Sequence, residues 1–116
     1  LVKDVPVGSK VGYGGTATTS QDTKLAVIAM GYADGIPRNA NEEAGVLIGK
    51  EKAPLIGRVS MDQFVVDLGK NSVTQNGDWA YVISDGYTAD SWAKASGTIN
   101  YEIVTRIGPR VPRIYI

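Results

Sequence analysis

The sequence contains neither cysteine nor histidine. Their absence removes disulfides, thiol nucleophiles, imidazole bases and the nitrogen and sulfur ligands that zinc favours, so no metal site is expected. Any chemistry falls to Tyr, Lys, Arg, Ser, Thr, carboxylates and the backbone. Neither sign of charge is in excess: twelve Lys plus Arg stand against twelve Asp plus Glu. That balance leaves no net field to draw the chain onto nucleic acid or an anionic membrane. Long apolar runs are missing too. The longest, Leu25 to Met30, is far short of the roughly 20 residues a membrane span requires, and a soluble chain is expected. The opening Leu-Val-Lys-Asp-Val-Pro has no initiator Met and no signal-peptide layout. It reads as the start of a segment cut from a longer polypeptide. Lack of cysteine suits a reducing compartment without requiring one.

What the 116 residues do contain is a globular balance of 43 % hydrophobic and 21 % charged residues, enough for one domain with its own core. Glycine is abundant, with 14 residues spread along the chain. Between the glycines lie short β-branched stretches: Lys24 to Met30, Val46 to Ile48, Leu55 to Ser60, Gln63 to Leu68 and Trp79 to Ser84. Strands punctuated this way predict a mainly β fold, a small Greek-key-like barrel or a sandwich. Two helices are expected near the C-terminus. Thr88 caps one over Ala89 to Ser96 with Gly97 as its stop. Thr98 or Asn100 starts the other, in which Ile99, Ile103 and Ile107 recur before Gly108-Pro109. The tail Arg110 to Ile116 reads as extended or as an edge strand.

Pattern alone singles out few sites, each with an ordinary alternative. Gly12-Tyr13-Gly14-Gly15 lacks the lysine and spacing of a P-loop and reads as a turn. Tyr32, in Gly31-Tyr32-Ala33-Asp34-Gly35, stands where the chain leaves its most apolar strand. Such a position suits a cleft residue, but also a half-buried amphipathic tyrosine. In Arg58-Val59-Ser60-Met61-Asp62, alternation puts Arg58, Ser60 and Asp62 on one face and Met61 with Val59 in the core. Asn100-Tyr101-Glu102 offers a phenol at a helix start, or simply a capped helix.

The motifs taken in order say more. Tyr13-Gly14-Gly15, Gly31-Tyr32-Ala33-Asp34-Gly35 with Pro37-Arg38, Ala53-Pro54, Gly57-Arg58-Val59-Ser60-Met61-Asp62-Gln63, Thr98-Ile99-Asn100-Tyr101-Glu102, and Arg106 through Pro109-Arg110-Val111-Pro112-Arg113 span nearly the whole chain. Together they closely resemble the C-terminal domain of bacterial alanine racemase. The resemblance implies that residues 1–116 form that β domain. It also implies an N-terminal TIM barrel outside this chain, carrying the lysine that binds pyridoxal phosphate. A homodimer in the cytoplasm would interconvert L- and D-alanine for peptidoglycan.

By the same resemblance, Tyr32 is the acid/base on the L face of a substrate held in the partner subunit. Met61 gives its backbone amide to the substrate carboxylate, again across the dimer. Tyr101 bonds the cofactor phosphate within its own subunit, while Arg58 and Asp62 organise the dimer interface and access path. A free phenol, with pKa about 10, is only about 0.1 % ionised at neutral pH, so a tyrosine base needs cationic or donor neighbours. With no histidine, and Arg38 the nearest arginine in sequence, these are expected from the barrel. The fragment alone is therefore expected to be inactive. A serine or broad-specificity racemase, or a free-standing β-barrel binding module without catalysis, remains open. A related decarboxylase of basic amino acids fits less well, because its C-terminal motif carries a cysteine.

Overall fold

A computed structural model describes residues 1–116, the side chain of Tyr13 excepted. Seven strands come first: β1 (Val2–Val5), β2 (Lys10–Val11), β3 (Ala17–Thr18), β4 (Thr23–Ile28), β5 (Gly45–Ile48), β6 (Glu51–Ile56) and β7 (Phe64–Gly69). Helices α1 (Ala89–Ser96) and α2 (Asn100–Thr105) follow. The main sheet is antiparallel and five-stranded in the order β1-β4-β7-β6-β5, and β2 and β3 pair separately.

The mainly β expectation with two late helices is met; the closed barrel is not. Among the described residues the sheet ends at β1 on one side and β5 on the other, with no pairing between them. β7 shows the expected alternation, burying Phe64, Val66 and Leu68. Val66 lies opposite Ala26 of β4 and Leu55 of β6, so three buried rows meet at the sheet centre. A two-residue turn joins β5 to β6, with Gly49 at φ 61°, as a primed hairpin turn requires.

Helix α1 closes this face. The Thr88 hydroxyl accepts from the Ser91 N–H at 3.2 Å, and Ser91 Oγ accepts from the Thr88 N–H at the same distance. Gly97, at φ 72°, ends the helix. Its inner face presents Trp92, Ala93 and Ala95, with Trp92 packed edge-on against Phe64 at a centroid distance of 6.0 Å. The buried indole N–H is satisfied by the Val82 carbonyl at 2.7 Å.

Three local expectations need correction. Residues 79–84 form no strand: Tyr81 exchanges hydrogen bonds with Leu47 at one position only. Beyond it, Ser84 Oγ accepts from the Gly86 and Tyr87 N–H groups, and this local turn competes with further pairing. Of the two readings of the tail from Arg110 onward, the edge strand is not formed; Arg113 instead donates to the carbonyls of Ile107, Gly108 and Val111. Helix α2 stops at Thr105, with Ile99 at its N-cap and exposed, so only Ile103 of the three isoleucines is fully buried.

Candidate active site

Beyond Ile28 the chain leaves β4 and enters a 3₁₀ turn over Tyr32–Asp34. Asp34 closes this turn twice. Its N–H donates to the Gly31 carbonyl at 2.9 Å, and its Oδ2 accepts from the Gly31 N–H at 3.0 Å. Asp34 is thereby buried, while Tyr32 projects with 42 % of its surface exposed.

A second loop, residues 57–63, joins β6 to β7. The Gln63 carbonyl accepts from both the N–H and the hydroxyl of Ser60, at 3.0 and 2.8 Å. Val59 turns inward and is 2 % exposed, whereas Met61 is 51 % exposed. Strand alternation therefore does not hold here and Met61 is not a core residue: the segment is an irregular loop, not a continuation of β6.

The two loops cross. The Tyr32 N–H donates to the Ser60 carbonyl and the Ala33 N–H to the Met61 carbonyl, each at 3.0 Å. Gly31 sits at the crossing because a side chain there would collide with both carbonyl oxygens. The crossing opens a groove of about 370 Å³ lined by Tyr32, Arg38, Arg58, Val59, Ser60 and Met61. Tyr32 and Met61, which sequence pattern could not connect, thus share one groove. Arg38 and Arg58 line the same groove. The Met61 carbonyl is occupied by Ala33, while among the described residues its N–H donates to nothing.

Tyr101 lies elsewhere, in the first turn of α2 and 72 % exposed. It lines a different groove with Asp90, Ala93, Lys94, Thr98, Ile99 and Asn100. Asn100 is not the helix cap; its side-chain amide donates to Asp90 Oδ1 at 2.7 Å and ties α2 to α1. The domain therefore presents Tyr32 with Met61 on one surface groove and Tyr101 on another.

One group at this site was not foreseen. Arg110 donates through Nη2 to Asp62 Oδ1 at 2.8 Å, and its Nε stands 3.3 Å from Asp34 Oδ1. The Asp62 hydrogen bond, and then the Asp34 charge, raise the guanidinium pKa above its ordinary value. No local signal could have disclosed this, since the partners are far apart in sequence. Among the described residues there is no acidic cluster able to hold a metal ion, and no helix long and apolar enough to cross a membrane.

An open antiparallel sheet, a short helix pair and a turn that displays a tyrosine define the class as a mainly β domain. The family model described as alanine racemase, C-terminal domain, matches residues 1–115. Alanine racemase of Beutenbergia cavernae is 49 % identical over 100 % of this chain and 32 % of that protein. The Salinispora arenicola alanine racemase is 52 % identical over 99 % of this chain and 32 % of its own length. Among solved structures, the alanine racemase of D-cycloserine-producing Streptomyces lavendulae superposes with a TM-score of 0.93 at 50 % identity, covering 100 % of this chain and 31 % of that one. The Bartonella henselae alanine racemase with covalently bound pyridoxal phosphate gives 0.90 at 34 % identity, over 99 % and 32 %. The chain belongs to the alanine racemase C-terminal domain family, and it spans about a third, 32 %, of the length of the curated relatives it matches.

Proposed function

We propose that this chain is the C-terminal domain of a pyridoxal-phosphate-dependent alanine racemase, a cytoplasmic homodimer that interconverts L- and D-alanine for peptidoglycan. The observation that carries the reading is the loop crossing, which brings the exposed Tyr32 into one groove with Met61, whose N–H has no partner among the described residues. Racemisation requires a proton to leave one face of Cα and another to arrive on the opposite face, hence two acid/base groups. Tyr32 Oη serves the L face, across the dimer. The D face belongs to a lysine of an N-terminal TIM barrel outside this chain.

The Met61 N–H donates to the substrate carboxylate, a role that a fixed backbone dipole performs without reorganisation. Tyr101 suits one phosphate oxygen of the cofactor: its phenol is exposed, and Lys94 lines the same groove. Asp90 in that groove is already engaged by Asn100. These residues fit a partial contribution only, and the remaining cofactor contacts lie in the barrel. When bound, pyridoxal phosphate supplies an electron sink for the charge left on Cα as the proton departs.

The test is racemisation by the full-length protein, offered alanine, serine and lysine separately. Preferred conversion of alanine supports the reading. Preferred conversion of serine or lysine replaces it with a racemase of other specificity, and no conversion of any of them with pyridoxal phosphate present overturns it. The isolated chain, mixed with the cofactor and treated with borohydride, is expected to carry no stable adduct.

A further inference from the structure

The Gly108-Pro109-Arg110-Val111-Pro112-Arg113 block is a built brace, although it contains neither helix nor strand. Arg113 knots it by donating to the carbonyls of Ile107, Gly108 and Val111 at 2.8, 2.6 and 2.6 Å. The Gly108 N–H pins it to the Asp34 carbonyl at 3.2 Å. From this base Arg110 reaches two carboxylates on two different loops. Asp34 divides its own carboxylate: Oδ2 closes the turn that displays Tyr32, and Oδ1 faces Arg110. Asp62 directly follows Met61, and its carboxylate has Arg110 as its one side-chain partner among the described residues.

The loop crossing is thus held from two directions. Backbone bonds join Tyr32 to Ser60 and Ala33 to Met61. Beyond the Met61 carbonyl, the tie between the loops is the arginine. We propose that Arg110 is a positioning residue, which fixes the distance between the Tyr32 phenol and the Met61 N–H by gripping Asp34 on one loop and Asp62 on the other. The proposal rests on the assignment of Tyr32 and Met61 made above. Asp62 and Arg110 are both half or more exposed, so the ion pair between them adds little to folding stability. A small displacement of reacting groups, by contrast, costs rate steeply, up to about a hundredfold for 1 Å. The pair should therefore show in kinetics before it shows in melting temperature.

The experiment uses the full-length protein. It compares Asp62→Asn, Arg110→Met, their double variant and Tyr32→Phe, with Glu43→Gln as control for loss of an exposed ion pair on another surface. Steady-state constants for each alanine enantiomer, Cα–H exchange in deuterated buffer and melting temperature are read together. Asp62→Asn frees only the Met61 loop, and should raise KM about tenfold for both enantiomers with a smaller change in kcat. Arg110→Met should add a loss of L-face exchange of about tenfold, leaving D-face exchange nearly intact. In the double variant the effects should be less than multiplicative, because both substitutions break one contact.

Wild-type kinetics in Asp62→Asn, or a loss in Arg110→Met that falls equally on both faces, overturns the proposal. Asp62→Asn retains its decisive value if Arg110→Met does not fold. Tyr32→Phe separates the two levels of failure. If it shows L-face bias while the Arg110 and Asp62 variants do not, the positioning role fails and the Tyr32 assignment stands; if Tyr32→Phe shows none, both fall.

Discussion

Gly31→Ala tests the loop crossing most sharply, because the reason for glycine there is space and not conformation. At φ −142° and ψ −163° Gly31 is in extended backbone that any residue adopts. A Cβ built on it runs into the Ser60 and Met61 carbonyl oxygens, both backbone atoms that no rotamer change can clear. Restoring ordinary contact distance would part the loops by roughly 1 Å. It would also stretch the two 3.0 Å hydrogen bonds from Tyr32 and Ala33 that join them. Overpacking of this kind, with two net backbone bonds weakened, is expected to destabilise the chain by about 3 to 5 kcal/mol. Urea unfolding followed by tryptophan fluorescence measures it, since Trp92 is buried in the core. Gly49→Ala is the control. Gly49 has open space but sits at φ 61°, so its alanine costs only the left-handed strain of about 1 to 2 kcal/mol. Gly31→Ala unfolding within about 0.5 kcal/mol of wild type would refute the reasoning, because the carbonyl wall would then not exist.

Removing the α1 cap by Thr88→Ala should cost about 1 kcal/mol in the same unfolding experiment, and Thr88→Asn should restore most of it. Glu51 governs an acid-side effect: the Ser72 and then the Thr74 hydroxyl, the latter donating at 2.8 Å, hold its folded-state pKa below the ordinary value. Its contribution is present above the unfolded pKa and is lost as pH falls through the lowered folded one, so Glu51→Gln should flatten the acid limb of stability against pH and leave the neutral-to-basic side level. In the full-length protein Met61→Leu should change turnover little, because the N–H survives and volume is conserved, whereas Met61→Pro removes the donor and should raise KM strongly in a protein that circular dichroism shows still folded.

Which parts of this molecule were legible in its sequence follows from which interactions are local. Helix α1 was, because Thr88 and Gly97 write both ends into the chain and Trp92, Ala93 and Ala95 mark its inner face. Strands β4, β5 and β7 were, through their β-branched stretches, whereas β6 was expected over Leu55 to Ser60 and runs over Glu51–Ile56, because the chain turns into the loop after Ile56. Strand β1 was not, since Val2-Lys3-Asp4-Val5 carries two charges in four residues and exists by pairing with β4. Residues 79–84 failed in the opposite direction: β-rich composition has no effect without a neighbour to complete the ladder. At the candidate site, pattern favoured an ordinary tyrosine at Tyr32 and a core methionine at Met61. Their shared groove depends on a crossing allowed by Gly31, and on a brace delivered by Arg110 from the far end of the chain. Resemblance to a known family singled out Tyr32 and Met61 where periodicity could not, yet it assigned Arg110 no role.

The central claim is that Tyr32 is the acid/base on one face of the substrate, and Tyr32→Phe in the full-length protein addresses it directly. The substitution removes the phenolic oxygen and keeps the ring, which is partly exposed, so packing is preserved. Proton NMR of each alanine enantiomer in deuterated buffer reports Cα exchange separately for the two faces. Exchange from L-alanine should fall by about 10² to 10⁴, while D-alanine continues to exchange with retention and its conversion to the L form is suppressed. Equal loss from both enantiomers, or undiminished exchange of L-alanine, would contradict the account.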